Sequence, residues 1–111
     1  MRAYAIDELY EEDVAKIGEC LARKGWSGPV TGMYYVPIPD DLLGPEQREH
    51  SESCGPFFLP LEVGDTWVRL EFLVRSRRIL RCSCVAYANS RLREDMINGL
   101  DNLIKSLDIA V

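Results

Sequence analysis

The chain of 111 residues has no apolar run approaching the roughly 18 residues that a membrane span needs. No apolar stretch precedes the acidic residues near its start, so we expect no export signal, no membrane partner and a cytoplasmic location. Phosphate-binding glycine loops and G-x-S-x-G motifs are also lacking, so we expect no catalytic residues and no cofactor. The composition, 47% hydrophobic and 28% charged, is that of one folded domain covering residues 1–111.

Positive charge is scarce outside one segment. The formal net charge is −5, yet residues 66–93 hold seven arginines and a single acidic residue, Glu71, for a net of +6. This segment contains no lysine, and arginine is the side chain suited to bidentate contacts with carboxylates or phosphates. The distribution therefore favours an acidic partner for this part of the surface.

Hydrophobic periodicity predicts a helix near each end of the chain. The first begins at an N-cap on Asp7 and ends near Arg23, and the second covers residues 91–107. The apolar stripe of the first helix is predicted to contain Tyr10, Val14, Ile17 and Leu21. Gly18 and Gly99 lie on or beside the two stripes, where glycine lowers helix propensity, so we expect close packing of the helices at both positions.

Strands are predicted between the helices, at residues 30–36, 57–63, 66–75 and 79–87. A two-residue turn at Gly64-Asp65 would pair Val63 with Thr66 and bring the apolar faces of two strands together. In the long connection of residues 37–56, Gly44 and Pro45 predict one short helical turn. The predicted fold is α+β, an antiparallel meander of about four strands flanked by N- and C-terminal helices packed on one face.

The sheet face away from the helices is predicted to be too apolar for a solvated surface. We expect an interaction surface, rich in aromatic residues and arginine, formed by Phe58, Trp67, Arg69, Leu73, Arg75, Arg77, Arg78, Arg81, Val85 and Tyr87. The predicted function is a non-catalytic interaction or adaptor module that binds itself, as a homodimer, or an acidic protein. Alternatively, residues 1–6 or 37–56 cover this face. Single-stranded nucleic-acid binding is a second alternative, which the net charge of −5 disfavours.

The chain has four cysteines and one histidine, and four of these residues form a potential Cys₃His metal set: His50, Cys54, Cys82 and Cys84. The spacing of Cys82 and Cys84 on a predicted strand, on the same face as Leu80 and Ala86, favours core positions and no metal. A metal centre, and a thiol-redox or nucleophilic role for Cys54 beside His50, remain the alternatives.

Overall fold

The structure, a computed structural model, describes residues 1–110. In chain order it contains β1 (Ala3–Ile6), α1 (Glu11–Arg23), β2 (Met33–Pro37), a 3₁₀ turn (Asp40–Leu42), α2 (Pro45–Glu49), α3 (Ser51–Cys54), β3 (Phe57–Val63), β4 (Val68–Glu71), β5 (Arg75–Ser76) and α4 (Ser90–Ser106). The predicted α+β class, with an antiparallel sheet and a helix near each end, is confirmed. None of these helices is both long enough and apolar enough to cross a membrane.

The sheet has the strand order β1-β4-β3-β2, with β5 pairing beside the start of β3, and every pairing is antiparallel. The edge strand β1 was not predicted, and it places Tyr4 opposite Leu70. Residues 3–6 therefore extend the sheet and do not cover one of its faces. The helical turn predicted after Gly44 is present as α2, with Pro45 at its first position.

The hairpin between β3 and β4 differs from the prediction by two residues. Val63 pairs with Val68, not with Thr66, so the connecting loop covers residues 64–67 and closes with Gly64 N–H donating to Trp67 O at 2.9 Å. A Cβ at Gly64 would overlap the indole of Trp67, which shows why glycine is needed there. Because a shift of two residues preserves the faces of a strand, the apolar faces still meet, and Leu61 and Val68 are buried in the core.

The start of α1 also differs from the prediction. The helix begins at Glu11, four residues after Asp7, and Tyr10 in extended conformation is its N-cap. The backbone N–H of Leu9 donates to Thr66 O at 2.9 Å, so the preceding residues are held against the β3–β4 hairpin. Leu9 is buried in consequence, whereas Tyr10 is 74% exposed and does not belong to the apolar stripe.

One continuous cluster of buried apolar side chains joins both terminal helices to the same face of the sheet. A groove of about 450 Å³ runs between α1 and α4, with Leu61 and Leu70 among its lining residues. Gly99 borders this groove, and a Cβ there would meet nothing within 4 Å, so the predicted close packing at Gly99 is wrong. At Gly18 a Cβ would lie 3.1 Å from the Tyr34 hydroxyl, so the close approach is to β2 and not to α4.

Residues 79–87 do not form the predicted strand. The segment has one isolated bridge, between Leu73 and Tyr87, and one backbone bond from Val74 N–H to Ala86 O at 2.9 Å. Leu80 is 91% exposed and Ala86 is also exposed, so neither lies in the core as the alternating pattern predicted. Side-chain contacts with α2 and α3 hold this segment instead.

Substitution of Gly99 tests the groove. Gly99→Ala is expected to raise the free energy of unfolding by up to about 1 kcal/mol, because alanine favours a helix interior and the groove has room for the methyl group. Gly18→Ala is the matched control, with a smaller gain expected because its methyl group meets the Tyr34 hydroxyl. Urea denaturation measures both, and a destabilised Gly99→Ala protein would show that the helices close over the groove in solution.

Candidate metal centre

His50 and Cys54 lie on the same side of a short helical turn. His50 follows α2 and precedes α3, and the backbone N–H of Cys54 donates to His50 O at 2.7 Å. Because side chains four residues apart on a helical turn are neighbours, the imidazole and the thiol face the same space. Gly55 then ends α3 at a point where a Cβ would lie 2.5 Å from Ser51 O, so a larger residue would displace this turn.

The other two sulfur atoms come from a turn between β5 and α4. Val85 N–H donates to Cys82 O at 3.1 Å, which closes a turn that contains both Cys82 and Cys84. The buried side chain of Gln47 donates from Nε2 to Cys84 O at 3.1 Å and accepts at Oε1 from Gly44 N–H at 2.9 Å. One buried amide thus fixes the turn to the first residues of α2.

The four side chains converge on one point. Their potential ligand atoms, His50 Nδ1 and three Sγ atoms, all lie within 4.8 Å of one another. Nδ1 is 3.2 Å from Cys82 Sγ and 3.8 Å from Cys54 Sγ. Around a tetrahedral zinc ion, with Zn–S of about 2.3 Å and Zn–N of about 2.0 Å, neighbouring ligand atoms lie about 3.5–3.8 Å apart. Small side-chain movements would therefore let the four groups enclose a single ion.

The two thiols of the turn differ in proton affinity. Hydrogen bonds from Cys84, first from its backbone N–H and then from its side chain, lower the pKa of Cys82 to about 6. Burial raises the pKa of the Cys84 thiol to about 12, and the hydrogen bond with Cys82 adds to this effect. At neutral pH the metal-free cluster therefore contains a thiolate beside a protonated thiol. A backbone N–H aimed at a thiolate also stabilises that thiolate when it binds a metal.

Polar contacts around the cluster join the same two parts of the chain. Three side chains of residues 76–83 donate hydrogen bonds to residues 46–54: Ser76 to Cys54 O, Arg78 to Glu52 O at 2.7 Å, and Ser83 to the Glu46 carboxylate. The hydroxyl oxygen of Ser76 also accepts from the backbone N–H groups of Arg78 and Ile79, at 3.1 and 3.0 Å. The chain that leads from β5 to Cys82 is consequently fixed near both of its ends.

Part of the predicted interaction surface forms one pocket. Phe58, Arg75, Arg77 and Val85 line a pocket of about 330 Å³ on the sheet face away from the helices. Tyr35, which was not predicted to belong to this surface, stacks on Phe58 with ring centroids 4.0 Å apart. The Arg77 guanidinium lies over the Tyr35 ring, 5.0 Å from its centroid. The sequence predicted that Tyr35 and Phe58 lie on strands, but it did not indicate that their rings stack on each other.

The remaining predicted surface residues are dispersed. Trp67 lies on the hairpin turn at the far end of β3, and Tyr87 lies beside Leu73. Arg69 lies 3.9 Å from the Glu71 carboxylate on the same strand. Arg78 and Arg81 belong to an exposed loop of residues 77–81, which we call the arginine loop; it leads directly into Cys82.

The sequence interpretation of the cysteines and the structure agree only in part. Cys84 is buried, as a core residue would be, but Cys82 is half-buried, and both lie beside His50 and Cys54. The supporting roles of Gln47 and Ser76 were missed. The one available indication was that the only histidine of the chain precedes a cysteine by four residues. Comparisons with protein-family models, curated proteins and solved structures find no match to this chain.

Metal affinity at this cluster should rise with pH. Below its raised pKa, Cys84 carries a proton that a metal ion must displace, so protons compete with the metal throughout the neutral range. Below about pH 6, Cys82 also binds a proton and the competition becomes steeper. Zinc affinity measured against a chelator of known affinity should therefore fall between pH 8 and pH 5.5, with at least one proton released per zinc. An affinity independent of pH would contradict ligation by these thiols.

Proposed function

We propose that the protein is a zinc-binding, non-catalytic interaction module in which a Cys₃His centre holds a binding loop in place. The observation that carries the proposal is the convergence of one imidazole and three thiols, from two distant segments, within 4.8 Å. Nitrogen and sulfur ligands in a tetrahedral set suit zinc, whereas calcium and magnesium require oxygen ligands.

The donor set favours a structural metal. Catalytic zinc sites have three protein ligands and leave the fourth position to water or substrate, while structural sites use four protein ligands. Here all four ligands come from the chain, and two of them, Cys54 and Cys84, are buried. A centre closed in this way supplies stability to its surroundings, and activity then resides in the surface that it supports.

The segments that the centre joins have few backbone hydrogen bonds to the sheet. The α2–α3 connection and residues 77–89 have few backbone bonds to the sheet, because their contacts are mainly between side chains and backbone oxygens. Structural zinc in small peptides contributes binding free energy on the order of 10 kcal/mol, comparable with the stability of a whole domain. We therefore expect these segments to depend on the metal more strongly than the sheet and the terminal helices, which form most of the apolar core.

Zinc content is the direct test. Protein purified without added metal is expected to contain one zinc ion per chain, and Cys84→Ser should lose it because serine supplies no thiolate. Cys20→Ser is the matched control, since Cys20 lies on α1 and borders the groove between the helices. Elemental analysis of the three proteins gives the result.

A zinc-free parent protein, or full zinc content in Cys84→Ser, would contradict the proposal. A zinc-free parent with a disulfide between Cys82 and Cys54 or Cys84 would indicate instead the thiol-redox function, which the lowered pKa of Cys82 favours. Counting free thiols under denaturing conditions separates these outcomes.

Removal of the metal should loosen only one part of the molecule. A chelator is expected to increase amide hydrogen exchange in residues 77–88, because their anchor to His50 and Cys54 is lost, while β3 and β4 stay protected by the apolar core. Mass spectrometry of peptide fragments measures both regions in one experiment. Equal loss of protection in all strands would show that the metal supports the entire fold, and no change would show that it supports neither part.

A further inference from the structure

Within the basic segment of residues 66–93, the arginine loop, residues 77–81, combines exposed arginines with exposed apolar side chains. All five of its residues, Arg77, Arg78, Ile79, Leu80 and Arg81, are exposed. Leu80 is 91% exposed, and no acidic residue occurs between positions 72 and 93. A leucine presented to solvent between arginines, beside a pocket, is typical of a protein-binding surface.

The loop is held in this conformation before any partner arrives. At its start, Ser76 accepts hydrogen bonds from the backbone N–H groups of Arg78 and Ile79, and the Arg78 side chain is bound to Glu52 O. At its end, Cys82 belongs to the metal centre. A fixed loop loses little conformational entropy on binding, so the metal is expected to increase the affinity of this surface for a partner.

The adjoining pocket has the dimensions and lining to accept an aromatic side chain. It has a volume of about 330 Å³ and is lined by Tyr35, Phe58, Arg75, Arg77, Ile79 and Leu80, among others. Its apolar and aromatic lining suits the ring of a tyrosine, and Arg75 and Arg77 supply guanidinium groups, which the face of such a ring attracts; Glu71 also lines the pocket.

Stacked bases fit this surface less well than protein does. Phe58 is only 6% exposed, and the Tyr35 ring is stacked on Phe58 with Arg77 lying over it. Single-stranded nucleic acid needs open aromatic faces on which bases can stack, and the net charge of −5 repels a polyanion. An acidic protein segment that carries an exposed aromatic residue is therefore the better complement.

The chain itself contains such a segment, residues 8–13, which we call the acidic turn. Glu8, Glu11 and Glu12 are exposed there, and Tyr10 between them is 74% exposed. The acidic turn is bonded to the β3–β4 hairpin through Leu9, whereas the arginine loop begins at Arg77, whose N–H donates to Pro56 O beside the other end of β3. A seven-residue strand separates these ends by about 20 Å, so the contact cannot form within one molecule.

We propose that the arginine loop binds the acidic turn of a second copy of this chain, with Tyr10 of that copy inserted into the pocket beside Arg77. Because the two surfaces lie at opposite ends of the sheet, two copies in antiparallel orientation can form both contacts at once, and a single contact joins copies head to tail. The part played by the metal in this association rests on the proposed zinc centre, since the ion fixes the end of the loop.

A charge exchange tests the pairing in the zinc-loaded protein. The double variant Arg77→Glu/Arg81→Glu reverses the charge of these two loop positions and retains the hydrogen bond from Arg78 to Glu52 O. The double variant Glu11→Lys/Glu12→Lys reverses the charge of these two positions in the acidic turn. Each double variant alone should associate at least about tenfold more weakly than the parent, because like charges then meet at both contacts. An equimolar mixture of the two should associate again, since each loop then faces a turn of opposite charge.

Sedimentation velocity at micromolar protein and increasing salt measures association, and zinc is determined on the same samples. Salt should weaken association of the parent and of the mixture alike. Variants that associate as the parent does, or a mixture that does not recover, would overturn the pairing, as would a parent that binds zinc and remains monomeric. Association without bound zinc would overturn the metal centre and leave the pairing standing.

Two further measurements identify the alternatives. Tyr10→Ser should weaken association without changing zinc content, and an unchanged association constant would remove Tyr10 from the pocket and overturn this part of the proposal. A monomeric parent that binds a labelled oligonucleotide, measured by fluorescence anisotropy and lost in the Arg77/Arg81 variant, would assign the loop to nucleic acid in place of a second copy.

Discussion

Three thiols and one imidazole meet between two segments of the chain that share no strand pairing. Without a metal the Cys84 thiol keeps its proton and hydrogen bonds stabilise the Cys82 thiolate, whereas a bound cation would offset the charge of several thiolates at once. The end of the arginine loop at Cys82 and the turn closed by Val85 lie at this meeting point. A single ion would thus join the two segments at the edge of the apolar core, where Cys54 and Cys84 are buried.

The molecule is stabilised by two different kinds of contact. Toward α1 and α4, side chains such as Leu61 and Leu70 lie in a continuous apolar cluster, and burial of this area favours folding without any specific bond. The α2–α3 connection contributes Cys54 to the same cluster and adds directional contacts, such as the Gln47 amide on Cys84 O. Directional contacts fix geometry closely but lose their effect when one member is removed.

Different parts of this structure were predictable to different degrees. The terminal helices and the strands β3 and β4 repeat apolar residues with helical or alternating period, and their buried faces follow directly. The register of the hairpin did not follow, because pairing Val63 with Thr66 or with Val68 leaves every side chain on the same face. Packing of the Trp67 indole on Gly64 accompanies the longer loop, and that contact has no signature in the pattern.

The centre was harder to predict for a related reason. Cys82 and Cys84 are two residues apart, a spacing that suits one face of a strand as well as it suits a turn that binds metal. Their partners His50 and Cys54 lie about thirty residues away, a separation at which no local pattern operates. The arginine loop was predicted as part of a strand because Leu80 continues the alternation of apolar and polar residues. In the structure, that side chain is exposed to solvent.

The positions of the two tryptophans decide what an unfolding experiment can observe. Trp26 borders the groove between α1 and α4, and Trp67 lies on the hairpin turn, so both indoles report on the terminal helices and the β3–β4 hairpin. The unit around His50 can open while both keep their surroundings, since regions of different local stability unfold separately. A single sharp transition in tryptophan emission would therefore report the unfolding of the unit that contains Trp26 and Trp67. It would give no information about the unit around His50.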